Sequence, residues 1–172
     1  MDGSIQVYYG NGRGKTTAAL GLGIRAAGVG KQVIMVQFLK KKHSDTLDFL
    51  KKLEPELQIF RFEKAACGYS DLSPKEKQEQ MLNIKNALGY SRKVLDTGQC
   101  DLLILDEIFG LVDYNIITIE ELMDLIAVKK DSMDLILTGR NLPDEVREIA
   151  DCVYSIQREK EKTPEILAQG IS

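Results

Sequence analysis

Residues 101–106 read DLLILD, an uninterrupted apolar run closed at each end by an aspartate. A run so short and so uniformly apolar is stable as a strand only when both of its faces are covered. That requirement already demands a sheet lying between layers of helix. The rest of the chain supplies such a sheet. Residues 5–9, 32–38, 57–62, 134–138 and 152–156 are further short runs rich in Val, Ile, Leu, Tyr and Phe. Helical patterns separate them. Ser73 is placed to cap a long helix, Pro74 fits its first position and Glu76 completes a capping box. Met81, Ile84, Leu88 and Leu95 then recur at helical spacing. Thr118 and Glu121 form a second box, opening a helix through about Val128. A short helix is expected over residues 45–53, ended before Pro55, and another is opened by Pro143. Strands alternating with helices predict a three-layer α/β fold with a mostly parallel sheet of about six strands. No repeat or linker divides residues 1–172, which read as a single domain.

Residues 8–17, YYGNGRGKTT, sit between the first strand and the helical run that starts near Ala18. Gly10, Gly12 and Gly14 let the backbone turn with its N–H groups converging on an anion. The helix N-terminus adds partial positive charge. Lys15 reaches phosphate oxygens, and the Thr16 hydroxyl is a ligand for Mg²⁺. This is the layout of a nucleoside-triphosphate loop, with one departure: Tyr9 stands where the common pattern has its first glycine.

Asp106 and Glu107 end the 101–106 strand at the sheet edge to which the glycine loop is delivered, where open α/β sheets bind ligands. A carboxylate there holds Mg²⁺ directly or through water. Thr138-Gly139-Arg140 ends another strand at the same edge, and the planar guanidinium of Arg140 suits a phosphate.

Composition narrows the partners. A net charge of −3 argues against bulk electrostatic nucleic-acid binding. No apolar stretch reaches membrane-spanning length, and the first residues lack the pattern of a secretion signal. Cys67, Cys100 and Cys152 form no CxxC pair and read as reduced thiols of a cytoplasmic protein, two of them packed near strand starts. His43 is the single histidine, so no histidine cluster or triad is available within one chain. Lys40-Lys41-Lys42 reads as a solvated loop, with an anion contact as the alternative.

The segment GNGRGKTTAALGLGIRAAGVGKQVIMVQFLK resembles the opening of the P-loop corrinoid adenosyltransferases. LLILDEI and LILTGRNLPDEVREIAD resemble that family's later segments in the same order, and Ala168-Gln169-Gly170-Ile171 resembles its ending. The resemblance implies a P-loop NTPase, RecA-like fold. It implies transfer of the 5′-deoxyadenosyl group of ATP to a corrinoid reduced to cobalt(I), with release of triphosphate. Asn11, Gly12, Arg13, Gly14, Lys15, Thr16, Thr17 and Arg140 would bind the nucleotide. Thr16, Glu107 and Asp106 would hold Mg²⁺, with Lys15, Thr16 and Glu107 carrying the catalysis. Gly68 and Tyr69 fall where the family often has a GFTW-like segment beside the corrinoid. A homodimer and a flavoprotein reductant are implied as well. Two other classes share the glycine loop. One is another P-loop ATPase or nucleoside kinase, and the other is a non-catalytic ATP- or corrinoid-binding relative.

Overall fold

The computed structural model describes residues 2–40, 50–62 and 69–160. Six strands form one sheet: β1 (Ile5–Tyr9), β2 (Val33–Gln37), β3 (Leu57–Phe60), β4 (Leu102–Asp106), β5 (Asp134–Gly139) and β6 (Cys152–Ser155). Their order is β3-β2-β4-β5-β1-β6, and every neighbouring pair is parallel. The strand that sequence marked as doubly covered, β4, lies inside the sheet and is buried at all five positions. β2 is equally buried beside it.

Period-two alternation divides the apolar residues between two layers. Leu102 and Ile104 join Val33, Met35, Leu57 and Ile136 beneath helix α1 (Lys15–Gly28), against Ala19. Leu103 and Leu105 face the other way with Val7, Ile34, Val36, Leu135 and Leu137. That second layer is closed by α2 (Pro74–Thr97), α3 (Ile108–Asp113), α4 (Ile119–Ala127) and α5 (Asp144–Ile149).

Both capping boxes form. Ser73 accepts from the Glu76 backbone N–H while the Glu76 carboxylate accepts from Ser73 N, and Thr118 and Glu121 do the same for α4. The buried stripe of α2 is Gln80, Ile84, Ala87, Ser91, Val94 and Leu95. Met81 and Leu88, expected in that stripe, lie at its half-buried margin.

Two differences from the sequence reading concern the edge that matters for function. A helix, α3, starts directly after Glu107 where none was expected. It is short and apolar on nearly every side, so it carries no amphipathic signal. β3 stops at Phe60, and Phe60 and Phe62 turn onto Tyr90 of α2 at ring-centre distances of 5.0 and 5.8 Å. Residues 45–49 of the expected short helix, with His43 and Cys67, fall outside the described residues, and Lys51–Leu53 is a 3-10 turn. Among the described residues no helix is long and apolar enough to cross a membrane.

Candidate active site

Parallel strands deliver their carboxyl ends to one edge, and register sets what meets there. Gln37 pairs with Asp106 in the β2–β4 ladder, and Tyr9 pairs with Gly139 in the β1–β5 ladder. The glycine loop leaves β1 and is tied to its neighbours by backbone. Gly10 N–H donates to the carbonyls of Gly139 (3.2 Å) and Arg140 (3.0 Å), and Gly12 N–H donates to Ile156 (2.9 Å). The Asn11 side-chain oxygen accepts from Arg158 N at 3.3 Å. The loop thus lies between the ends of β5 and β6. Gly14 caps α1 with φ 110°, a left-handed conformation that glycine adopts without strain. Tyr9, the departure from the common pattern, has Arg147 of α5 over its ring at 5.3 Å.

Asp106 is the hub. It is 0% exposed. Thr16 Oγ1 lies 2.9 and 3.0 Å from its two oxygens, Thr138 Oγ1 donates to Oδ1 at 2.7 Å and Gln37 Nε2 donates to Oδ2 at 3.1 Å. Lys40 Nζ forms an ion pair with Oδ2 at 3.5 Å and donates to Thr16 Oγ1 at 3.2 Å. Arg61 extends the network by donating Nε–H to Gln37 Oε1 at 2.7 Å. A buried charge needs this density of partners.

Glu107 is its opposite. It is half-buried, and no hydrogen bond among the described residues uses its carboxylate. Its backbone is left-handed, at φ 61° and ψ 27°, and its N–H donates to Thr138 Oγ1 at 2.8 Å. Thr138 therefore fixes both acidic residues at once, its hydroxyl giving a proton to one and receiving one from the other. Lys15 curls back to donate to the Gly12 carbonyl at 3.0 Å. Burial pushes its ammonium below the ordinary lysine range; Arg140 and Lys40 push the same way, while Glu107 and Asp106 oppose them.

Lys15, Thr16, Asp106 and Glu107 are brought together as the sequence reading expects. Arg13, Thr17 and Arg140 are exposed around them. Tyr69 stands on a 3-10 turn (Tyr69–Asp71), with the Tyr114 ring 5.3 Å away and Lys77 over its face at 5.7 Å. No described contact joins it to the glycine loop, and Gly68 lies outside the described residues. Sequence reasoning missed Gln37 and Arg61, and its solvated reading of Lys40 is corrected by the pairing with Asp106. Lys41 and Lys42 lie outside the described residues. The sequence offers only their position: Gln37 and Lys40 follow the apolar run of β2 just as Glu107 follows that of β4, and it is the strand register that sets Gln37 beside Asp106.

The family model for ATP:corrinoid adenosyltransferase BtuR/CobO/CobP matches residues 1–171. The chain belongs to this family. As an ATP:corrinoid adenosyltransferase it is an enzyme, and its activity is adenosyl transfer from ATP to a corrinoid. The corrinoid adenosyltransferase of Escherichia coli K12 is 30% identical over 155 residues, spanning 90% of this chain and 76% of that one. The corrinoid adenosyltransferase CobA of Salmonella typhimurium LT2 has the same identity and coverage. Among solved structures, the KaiC-like protein of the archaeon Pyrococcus horikoshii aligns over 91% of this chain and 72% of its own, with TM-score 0.57 and 19% identity. That likeness shows a shared fold: a parallel α/β sheet of P-loop NTPase type.

For an adenosyltransferase the donor set at this edge is chemically suited to Mg²⁺. Carboxylate and hydroxyl oxygens are hard ligands, and Thr16, Asp106 and Glu107 supply them at this sheet edge. The N–H groups of the loop and the Lys15 ammonium are donors of the kind that phosphate oxygens accept.

Proposed function

We propose that this chain binds MgATP at the β1–α1 loop and activates its whole triphosphate as a leaving group toward a cobalt(I) corrinoid. Gly12, Gly14 and the first turn of α1 cradle phosphate, with Asn11, Arg13 and Thr17 beside them. Lys15 and Arg140 supply positive charge. Thr16 and Glu107 hold Mg²⁺ directly, and Asp106 stands behind them. One observation carries this division: both Asp106 oxygens already have protein partners, whereas the Glu107 carboxylate has none among the described residues.

In the reaction, cobalt(I) gives an electron pair to C5′ of the ribose. The C5′–O5′ bond breaks, its electrons leave on the triphosphate oxygen, and cobalt becomes formally cobalt(III) in the new carbon–cobalt bond. Bound Mg²⁺ supplies charge neutralisation for the departing triphosphate. Lys15 donates hydrogen bonds to oxygens whose negative charge rises as the bond breaks, which lowers the barrier. The nucleophile belongs to the corrinoid, so no serine, cysteine or histidine of the chain is required as one. The protein aligns the two substrates and excludes water.

Tyr69, with Gly68, is assigned to the corrinoid side on the family resemblance. The same resemblance supports a homodimer whose partner completes that pocket and a flavoprotein reductant, while the cysteine pattern supports a cytoplasmic location and the net charge of −3 argues against a nucleic-acid partner. Residues 1–172 act as one domain in this reading.

The deciding experiment supplies MgATP and chemically reduced corrinoid, follows the carbon–cobalt product by its optical spectrum and identifies the inorganic product. Adenosylcorrinoid and triphosphate in equal amounts are expected. Orthophosphate without adenosylcorrinoid would establish the ATPase reading instead, and nucleotide binding without turnover the binding-module reading.

A further inference from the structure

Lys40 occupies the place an incoming cation needs. The Thr16 hydroxyl donates to Asp106, with Oγ1 2.9 and 3.0 Å from the two carboxylate oxygens. The lone pairs of Thr16 Oγ1 are left for a cation, and Lys40 Nζ sits on them at 3.2 Å. The same ammonium is 3.5 Å from Asp106 Oδ2. The other described hydrogen-bond partners of that buried carboxylate, Thr16, Thr138 and Gln37, are neutral.

The backbone holds Lys40 there. Phe38 N–H donates to the Asp106 carbonyl at 2.9 Å, prolonging the β2–β4 pairing by one residue. Leu39 then turns with φ 55°, a left-handed conformation that a leucine seldom adopts. Its side chain fills the space over Gly110, where an added Cβ would lie 2.6 Å from Leu39 Cδ1. Gly110 N–H in turn donates to the Glu107 carbonyl at 3.1 Å. The left-handed turns at Leu39 and Glu107 therefore lean on the same short helix, the first of them setting Lys40 against Thr16 and Asp106.

We infer that Lys40 is a resident counter-cation that fills the metal seat of the nucleotide-free protein, keeps a divalent ion from binding there alone, and yields when the metal arrives on a triphosphate. The inference rests on the metal placement proposed above. An ammonium and a divalent cation cannot share Thr16 Oγ1 and Asp106 without strong mutual repulsion. A triphosphate removes the conflict, because its negative oxygens partner both the metal and the displaced ammonium. Metal and nucleotide are thereby coupled: each makes the other's binding more favourable by the same factor.

Manganese(II) provides the probe: without ATP its electron paramagnetic resonance signal reports free ion directly, and with ATP, which itself binds the ion in solution, the protein-bound manganese is counted after ultrafiltration. The full-length protein is titrated with Mn²⁺ in the absence and presence of ATP, as wild type and as Lys40→Met, which keeps the stem and removes the charge. Without ATP the wild type is expected to bind Mn²⁺ at least tenfold more weakly than Lys40→Met. Lys40→Arg, which restores a cation, should return to wild-type behaviour. Adding Asp106→Asn to Lys40→Met should abolish the gained binding, locating it at this seat. Equal metal-only affinity in wild type and folded Lys40→Met, with Mn²⁺ uptake by the wild type in ATP intact, overturns the role of Lys40 alone. Absence of any ATP-dependent Mn²⁺ uptake by the wild type overturns the metal placement as well. Lys40→Gln carries the same readout should the methionine variant fail to fold.

Discussion

Asp106 and Glu107 are adjacent in the chain but have opposite surroundings, the first fully buried among donors and the second half-buried, its carboxylate without a hydrogen bond among the described residues. That contrast predicts different failures. Glu107→Gln should fold normally and lower kcat by roughly a hundredfold, about 2.7 kcal/mol of barrier, with MgATP affinity changed less than turnover. Asp106→Asn should lose stability first, by about 1–3 kcal/mol, since it leaves the Lys40 ammonium without its counter-charge. Urea unfolding beside steady-state kinetics separates the two. Cys100 supports a different residue-scale prediction. Burial pushes its thiol up to about 12 from an ordinary 9.0, so it stays protonated in the fold. Between those values the unfolded chain releases a proton that the folded chain retains. Stability should therefore be unaffected by this group below pH 9 and fall as pH rises from 9 toward 12. Thermal melts across that range, compared with Cys100→Ala, measure the slope. In the native protein Cys100 should also resist alkylation at pH 8.5.

At the scale of elements, close approach of α3 to the sheet positions the acidic pair. A Cβ at Gly139 would lie 2.4 Å from Phe109 Cβ, so β5 and α3 meet where only glycine fits. Gly139→Ala should cost about 1–3 kcal/mol as an overpacking change and should weaken MgATP binding too, because α3 carries Glu107 at its N-terminus. Calorimetry on the folded variant checks the second effect. This contact also marks the limit of what the sequence discloses. The β4 run, both capping boxes and the glycine loop announce themselves through local chemistry, and each forms where local chemistry places it. Helix α3 does not, since Ile108-Phe109-Gly110-Leu111 is buried all round and has neither periodicity nor a cap. Lys40 and Gln37 were illegible for another reason. Their partner is sixty-odd residues away and is chosen by the register of β2 against β4, which no local pattern encodes.

At the scale of the molecule, β5 lies between the loop strand β1 and the acidic strand β4. The site is therefore assembled across four parallel strands, β2, β4, β5 and β1, and Thr138 on β5 hydrogen-bonds both Asp106 and Glu107 N–H. Ligand binding should tighten this central part of the sheet and leave the edge strands β3 and β6 less affected. By mass action, MgATP at a hundred times its dissociation constant adds about 2.7 kcal/mol to the folded state. For a chain of 172 residues that raises the melting temperature by about 5–10 °C. Mg²⁺ alone should give almost no shift and ATP with a chelator only a fraction of it, because each component lacks what the other supplies at the seat proposed for the metal on Thr16 and Glu107. Lys15→Ala should reduce the combined shift, as it loses a charge-assisted phosphate contact worth on the order of 1.5–3 kcal/mol. Differential scanning calorimetry gives the magnitudes, and hydrogen exchange shows where they arise. A full shift with metal alone, or protection gained at β3 rather than at β1, β4 and β5, would contradict a site built on the central strands.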